Sequence, residues 1–254
     1  NEVIHANEPT TFTANDYRDQ RDLKVKKLNE IIDLNYIDES DGQISLTRTD
    51  GTPLVLNSTA FTLITSPNGN NKSFHDVIVQ GPEGTKTNIT STINGGTLKG
   101  YLEMRDKIVV EVKDKLDRLA AGFVKEFNEI HQQGFGIDGS TGNNFFKALE
   151  TTVLTNVNNT GSAKLIATNG DPSNISVDKY EITITDSNSF TLKNLTTGSS
   201  SGTFTFQQGS SFNLANGYAV AISGTPAVGD KFRFSASENA ARDMSIGSGV
   251  LSNS

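Results

Sequence analysis

The side chains that could carry chemistry are few and scattered. Three carboxylates, Asp38, Glu39 and Asp41, crowd one stretch. Two acids held about 5–10 Å apart, one with a raised pKa, would make a glycosidase pair. These three stand at the approach to a turn, where solvated acids are ordinary, and the chain has no tryptophan to serve as a sugar platform. The run Asp138-Gly-Ser-Thr-Gly-Asn143 has the oxygen atoms and glycines of a calcium loop. It lacks an acid at its third position and the closing Glu at its twelfth, where Leu149 stands, so it reads as a plain turn. The glycines between Gly134 and Gly142 give no G-x-G-x-x-G after a buried strand, and no dinucleotide fingerprint is expected. The histidines, His5, His75 and His131, lie far apart, and cysteine is absent. No thiolate metal site, Cys nucleophile or His-based triad is expected. Catalytic, cofactor-binding and metal residues are all read as none.

Composition points the same way. There are 22 Lys+Arg against 29 Asp+Glu, a net charge of −7 with no basic patch. Nucleic-acid phosphates find no electrostatic footing on such a chain. No apolar run reaches the ~18–20 residues of a membrane span. Asn1-Glu-Val-Ile-His5 has neither a charged n-region nor an apolar h-region, so no cleavable secretory signal is expected. With no initiator Met, the chain is expected to be an excised segment of something longer.

The elements begin with a helix. Thr13 and Asp16 read as a capping box, and Tyr17, Val25, Leu28 and Ile32 fall near one face, broadened by Leu23 and Ile31, to an end near Leu34. Asp41-Gly42 and Asp50-Gly51 mark tight turns around short strands at 43–49, 53–56, 61–64 and 76–79, a small antiparallel unit over 35–94. Asn94-Gly95-Gly96 then breaks the chain. A long helix from Leu98 to Gln133, roughly 50 Å, carries Leu102, Val109, Leu116, Phe123 and Ile130 at intervals of seven. Val112 and Leu119 form a second set, and Ala120 and Phe127 widen the stripe. Leu116 is expected to face the first helix near Val25 or Leu28, and the remainder of the stripe needs helical partners of which this chain supplies few. Glu111, Lys113, Asp114, Lys115, Asp117 and Arg118 are expected on the solvated face.

Phe145-Phe146 is expected to anchor the loop after this helix. Period-two alternation then places strands at 163–167, 180–185, 189–195, 203–206, 218–222 and 231–234, a small sandwich or open barrel within 147–237. A further helix starts near Glu238. The fold class is thus α+β: a discontinuous helical stalk domain (1–34, 95–146 and 238–254) with two inserted antiparallel β units, 35–94 and 147–237. Arg21-Asp22 and Arg105-Asp106, one pair on each long helix, read either as solvated helix charge or as a cross-helix salt-bridge cluster. His131 suits a capping or packing role at a helix C-terminus, and His75 is expected to be exposed.

Four blocks resemble the bacterial flagellar hook-associated protein 1 family, that of the first of two hook–filament junction proteins. They are Ala14-Asn-Asp-Tyr-Arg-Asp-Gln-Arg-Asp-Leu23 with Leu28-Asn-Glu-Ile-Ile32, and Ile93-Asn-Gly-Gly-Thr-Leu-Lys-Gly-Tyr-Leu-Glu-Met-Arg-Asp106. The others are Phe127-Asn-Glu-Ile-His-Gln-Gln-Gly134 with Asp138-Gly139 and Phe145-Phe146, and Ile222-Ser-Gly-Thr-Pro-Ala-Val-Gly-Asp-Lys-Phe232. The motif positions are Asn15, Arg21, Asp22, Gly95, Gly96, Arg105, Asp106, Asn128, His131, Gly134, Gly229 and Asp230. The blocks span residues 14 to 234. Two departures are the absent terminal helices and Phe135-Gly-Ile137, where the family usually has a Tyr-Asp type of step. The resemblance implies a non-catalytic extracellular structural subunit of the flagellum. It further implies type III export without a cleaved signal, and self-assembly into a ring between hook and filament. The implied partners are further copies of itself, the hook protein, the second junction protein, and an export chaperone acting through C-terminal helices absent here. The alternative is an adhesin-like or phage-tail-like binding module using 147–237, whose loops are rich in Asn, Ser and Thr.

Overall fold

A computed structural model of the chain describes residues 1–7, 15–39, 42–136 and 139–251. The capping Thr13, Asp41 of the first turn and Asp138 of the glycine-rich loop lie outside the described residues. The chain forms two compact units, Asn1–Val110 and Glu111–Ser254.

In the first unit a short helix α1 (Glu2–Asn7) precedes α2 (Asn15–Ile31). Two antiparallel sheets follow. One is built in order from β1 (Asn35–Asp38), β2 (Ile44–Thr47), β3 (Pro53–Leu56) and β4 (Thr59–Ala60). The other comprises β5 (Thr62–Pro67), β6 (His75–Gln80) and β7 (Lys86–Asn88). The Asp50-Gly51 turn forms as its residues demand: Gly51 takes a φ of +84°, and the Asp50 carboxylate accepts the Thr52 N–H at 3.0 Å. Helix α3 (Gly96–Glu103) then begins, passes through a π turn at Met104–Ile108, and continues as α4 (Val109–His131). The Val109 N–H bonds the Met104 carbonyl, five residues back. The core of this unit is Ile32, Leu54, Val79, Ile89, Ile93 and Leu102, with Leu28, Phe61 and Leu98 packed against it. It therefore joins the end of α2, both sheets and α3. None of the residues within α2 is fully buried.

The second unit contains two facing antiparallel sheets. The larger is ordered β12 (Ser200–Thr205), β11 (Ser189–Asn194), β10 (Tyr180–Asp186), β15 (Lys231–Ser235), β8 (Thr152–Thr155). The smaller is ordered β13 (Ser211–Asn213), β14 (Tyr218–Ser223), β9 (Lys164–Asn169). Alternation puts Leu165 and Ala167 of β9, Phe190 and Leu192 of β11, and Phe232 and Phe234 of β15 into one shared core. Tyr218 lies wholly inside it. Its hydroxyl donates to the Ser176 carbonyl at 2.6 Å and accepts the Ala236 N–H at 2.8 Å, and burial pushes its pKa up to about 12. The sandwich is not closed into a barrel. Two short helices, α5 (Ala240–Asp243) and α6 (Ser248–Leu251), follow it.

The seven-residue stripe does not form the expected core. Leu102 is buried, but Val109, Leu116, Phe123 and Ile130 are all exposed, Leu116 by 55% and Ile130 by 72%. The buried residues of α4 are Asp117, Ala121, Val124 and Asn128. Asp117, expected on the solvated face, is 2% exposed. These four share a face at intervals of four, three and four. Small or hydrogen-bonded side chains let it press closely on its neighbours, whereas the larger apolar residues face outwards.

Candidate functional site

Each Arg-Asp pair folds onto itself rather than bridging two helices, which corrects the cross-helix alternative. Arg21 Nε donates to Asp22 Oδ1 at 3.1 Å, and Nη1 reaches the Gly42 carbonyl at 3.1 Å. Arg105 grips both carboxylate oxygens of Asp106, at 2.6 and 2.8 Å, and donates to the His75 carbonyl at 2.9 Å. Asn71 donates to the same Asp106 at 3.0 Å, and the Arg105 guanidinium lies 5.4 Å from the Phe74 ring centroid. The bond from Arg105 holds Asp106 below the usual carboxylate range. In both pairs the Asp orients the guanidinium, which then ties a helical segment to backbone of the β region.

The two motif glycines are a close contact between helices. Gly95 caps α3 in an extended conformation, and Gly96 has a φ of +76°. A Cβ on Gly96 would stand 2.3 Å from the Ile31 carbonyl oxygen, so the end of α2 sits directly on this backbone. Asp33, just beyond α2, accepts the Asn94 N–H at 3.3 Å. Asn15 opens α2 and is exposed.

Behind this contact lies Arg48, fully buried, which sequence patterning does not single out. It pairs with Asp50 at 2.7 Å and donates to the Thr92 hydroxyl and carbonyl at 2.9 and 2.6 Å, with Asp33 at 3.8 Å. Burial pushes the Asp50 carboxyl up. Hydrogen bonds from Thr92 and Thr52, with the Arg48 charge, outweigh it and bring the pKa down to about 2.

In the second unit the buried face of α4 is a row of polar clamps. Asp117 Oδ1 accepts the Ala241 N–H at 3.1 Å, Oδ2 accepts the Asn239 N–H at 3.3 Å, and Lys113 pairs with Oδ2 at 2.6 Å. The long helix thereby supplies the cap for α5, whose own Asn239 makes no side-chain cap. Asn128 pairs with the Phe146 peptide in both directions, Nδ2 to O at 3.0 Å and N to Oδ1 at 2.8 Å. On its other side Phe146 bridges to Ile246. Lys179 Nζ binds Asp114 of α4 at 2.6 Å and Glu238 at 2.9 Å. Burial disfavours the Lys179 ammonium, but these two carboxylates outweigh it and hold its pKa above the usual lysine value. Phe145 and Phe146 pack on Phe127, and His131 Nδ1 lies 2.8 Å from the Asn143 carbonyl. The Gly134 N–H closes the helix on the His131 carbonyl at 3.0 Å.

Asp230 is the hub of a further turn. Its buried carboxylate accepts N–H groups from Thr160 at 2.9 Å, Gly161 at 3.3 Å and Ala227 at 2.9 Å. Burial opposes its ionisation, but the three N–H groups prevail and its pKa is lowered. Gly229 ahead of it takes a φ of +91°.

None of these clusters is a reacting constellation. Glu39 accepts the Ser45 hydroxyl at 2.8 Å, Asp38 stands exposed on β1, and Asp41 lies outside the described residues. His75 is exposed and paired with the Thr65 hydroxyl. Among the described residues no three His, Cys, Asp or Glu side chains are grouped to hold a metal, and no helix is long and apolar enough to cross a membrane. What the long helix does present is an apolar face: Val112, Leu116, Leu119, Phe123 and Ile130 are all exposed.

Clamped helices, antiparallel sheets and an exposed apolar helix face define an α+β protein. The sequence model described as the flagellar hook-associated protein FlgK helical domain matches residues 1–146. The chain belongs to the flagellar hook-associated protein FlgK family. It is 31% identical over 236 residues to flagellar hook-associated protein 1 of Escherichia coli K12, covering 92% of this chain and 42% of that protein. Its likeness to flagellar hook-associated protein 1 of Bacillus subtilis 168 is 26% over 170 residues, 58% of this chain and 33% of the other. Among solved structures it matches the flagellar hook junction protein FlgK from Burkholderia pseudomallei. The TM-score is 0.72 and the identity 27%, over 92% of this chain and 43% of that one. The chain thus spans less than half the length of each of these three.

Proposed function

We propose that this protein is a non-catalytic subunit of the extracellular flagellum that self-assembles into the ring joining hook to filament. On this reading it contacts further copies of itself, the hook protein and the second junction protein, and an export chaperone serves it before assembly. Parts 1–34, 95–146 and 238–254 are its helical assembly domain, and 35–94 and 147–237 are inserts. Export leaves no cleaved signal. The observation that carries the reading is the exposed apolar face of α4, on a chain whose relatives are named for the hook and its junction. A lone soluble domain gains nothing from leaving Leu116, Leu119, Phe123 and Ile130 in water, since each forgoes a large part of the roughly 1.5–3 kcal/mol that burial of such a side chain provides. An assembling subunit buries them in the assembly.

Electron microscopy of a deletion strain tests this. Detached filaments beside intact hooks are expected, and the unaltered gene should restore attachment. Leu116→Lys with Leu119→Lys should leave secretion and folding intact but fail to restore attachment. Normal filaments in the deletion strain, or full rescue by the double variant, would overturn the proposal.

A further inference from the structure

The sequence contains four Asn-Gly steps, at Asn68, Asn94, Asn169 and Asn216. Glycine after asparagine has no Cβ to keep its amide nitrogen from the carboxamide carbon of the Asn side chain. Three of the four asparagines are held away from that encounter. Asn68 Oδ1 accepts the Asn70 N–H at 2.9 Å while Nδ2 donates to Asp76 at 3.1 Å. Asn169 Oδ1 accepts the Thr151 hydroxyl and Nδ2 donates to the Leu149 carbonyl. Asn216 Oδ1 accepts the Tyr218 N–H at 3.4 Å. Its Gly217 is buried, with the Gly217 N–H on the Leu214 carbonyl at 3.3 Å and the Cβ position 2.6 Å from Ile175 Cα.

Asn94 differs in its hydrogen bonding, although Gly95 is half-buried with its Cβ position 3.1 Å from Asp33 Cβ. Asn94 is exposed, and among the described residues nothing hydrogen-bonds its side chain or the Gly95 N–H. Only its own backbone N–H is fixed, on Asp33. We propose that Asn94-Gly95 is a site of spontaneous covalent modification, the one Asn-Gly step of the four that the fold leaves free to convert to aspartate and isoaspartate. The Gly95 nitrogen, losing its proton to solvent base, attacks Asn94 Cγ. A new N–Cγ bond closes a succinimide, and the bond from Cγ to Nδ2 breaks to release ammonia. Water then adds to either imide carbonyl, giving Asp or isoAsp.

The place gives the change a consequence. Either product puts a carboxylate beside Asp33. The isoaspartyl product also adds a methylene to the main chain two residues ahead of Gly96, whose backbone is seated against the Ile31 carbonyl with no slack. The α2–α3 contact of an aged protein is therefore loosened from within.

Peptide mapping of the folded protein after incubation at mildly alkaline pH, with electron-transfer fragmentation to separate Asp from isoAsp, tests the proposal. Each hydrogen bond that must break before attack slows conversion by about tenfold. Asn94 should therefore convert about tenfold or more faster than the other three in the folded protein. In urea the four rates should converge. The Asn94→Gln variant should fold alike and keep its melting temperature through the incubation in which the unaltered protein loses some. An intact Asn94 in the folded protein, conversion of any other Asn-Gly step at the same rate, or equal loss of melting temperature in Asn94→Gln would overturn it.

Discussion

Replacing Asp117 by alanine should uncouple the C-terminal segment from the long helix. The carboxylate is 2% exposed and accepts two backbone N–H groups, from Ala241 at 3.1 Å and Asn239 at 3.3 Å. Hydrogen bonds to a charged group contribute about 1.5–3 kcal/mol each, and the longer one belongs at the weak end. Their loss costs about 3–4 kcal/mol. The Lys113 pair adds under about 1 kcal/mol, because that side chain is 40% exposed and water takes over its charge. Alanine is the better helix former by roughly half a kcal/mol, which offsets a little. The net expectation is about 3 kcal/mol for Asp117→Ala. Asp117→Asn keeps a carbonyl acceptor, so about half that is expected. Leu116→Ala, one residue away on the exposed face, should cost under about 0.5 kcal/mol. Urea titration with hydrogen exchange read at residues 239–243 separates local release from global unfolding. Leu116→Ala as costly as Asp117→Ala, or unchanged exchange at Asn239 and Ala241 in Asp117→Ala, would refute the assignment of α4's buried face.

Gly96→Ala should lower the melting temperature of the first unit sharply. The left-handed φ of +76° alone costs about 1–3 kcal/mol in a residue with a side chain, and the Cβ also meets the Ile31 carbonyl. An unchanged melt would mean the helix contact yields. Asp230→Ala leaves the N–H groups of Thr160, Gly161 and Ala227 without their acceptor, and a loss of about 2–4 kcal/mol is expected by urea titration. A loss below about half a kcal/mol would show that water replaces the carboxylate. Acid should weaken the first unit through Asp50. Its pKa falls from 3.8 to about 2 on folding, so its contribution is complete above pH 4 and disappears as pH drops through 2. Its side chain is 26% exposed, and allowing for solvent the contribution is about 1–2 kcal/mol. Asp50→Asn should flatten the dependence between pH 4 and 2 by that amount, and an unaltered slope would contradict the hydrogen bonds from Thr92 and Thr52 that, with the Arg48 charge, lower its pKa.

The sandwich strands are legible because one face of each is buried. Alternation at β9, β11 and β15 is a direct image of that burial. The three-residue β13 and the four-residue β8 carry too few alternations to stand out. The long helix is visible from its apolar repeat, but the repeat marks its open face. Its packed face reads Asp117, Ala121, Val124, Asn128, and a hydropathy count scores two of those four as polar. Only the backbone groups they meet, more than a hundred residues onward for Asp117, reveal them as interior. Gly95 and Gly96 could be noted as a motif, yet the positive φ and the carbonyl of Ile31 that require glycine come from a helix ending more than sixty residues earlier. Arg48 is likewise silent in sequence, since a buried guanidinium is defined by its acceptors. Resemblance to a known family flagged Arg21, Arg105 and Asp230, and geometry alone gave each its backbone partners.

The π turn at Met104–Ile108 bears on how the heptad residues are to be counted. A π turn takes up one residue more than an α-helical turn for the same advance. Each residue of an α-helix rotates the next by about 100°, so one extra residue swings everything after it out of phase by roughly that angle. Leu102 and Val109, seven apart, would share a face across an unbroken helix. With the turn between them they do not: Leu102 is 7% exposed and Val109 53%. The step from Leu102 to Val109, regular on paper, is thus broken in space, and the turn is the punctuation between them. Deleting one residue from Met104–Ile108 would carry Val109 round toward the azimuth of Leu102.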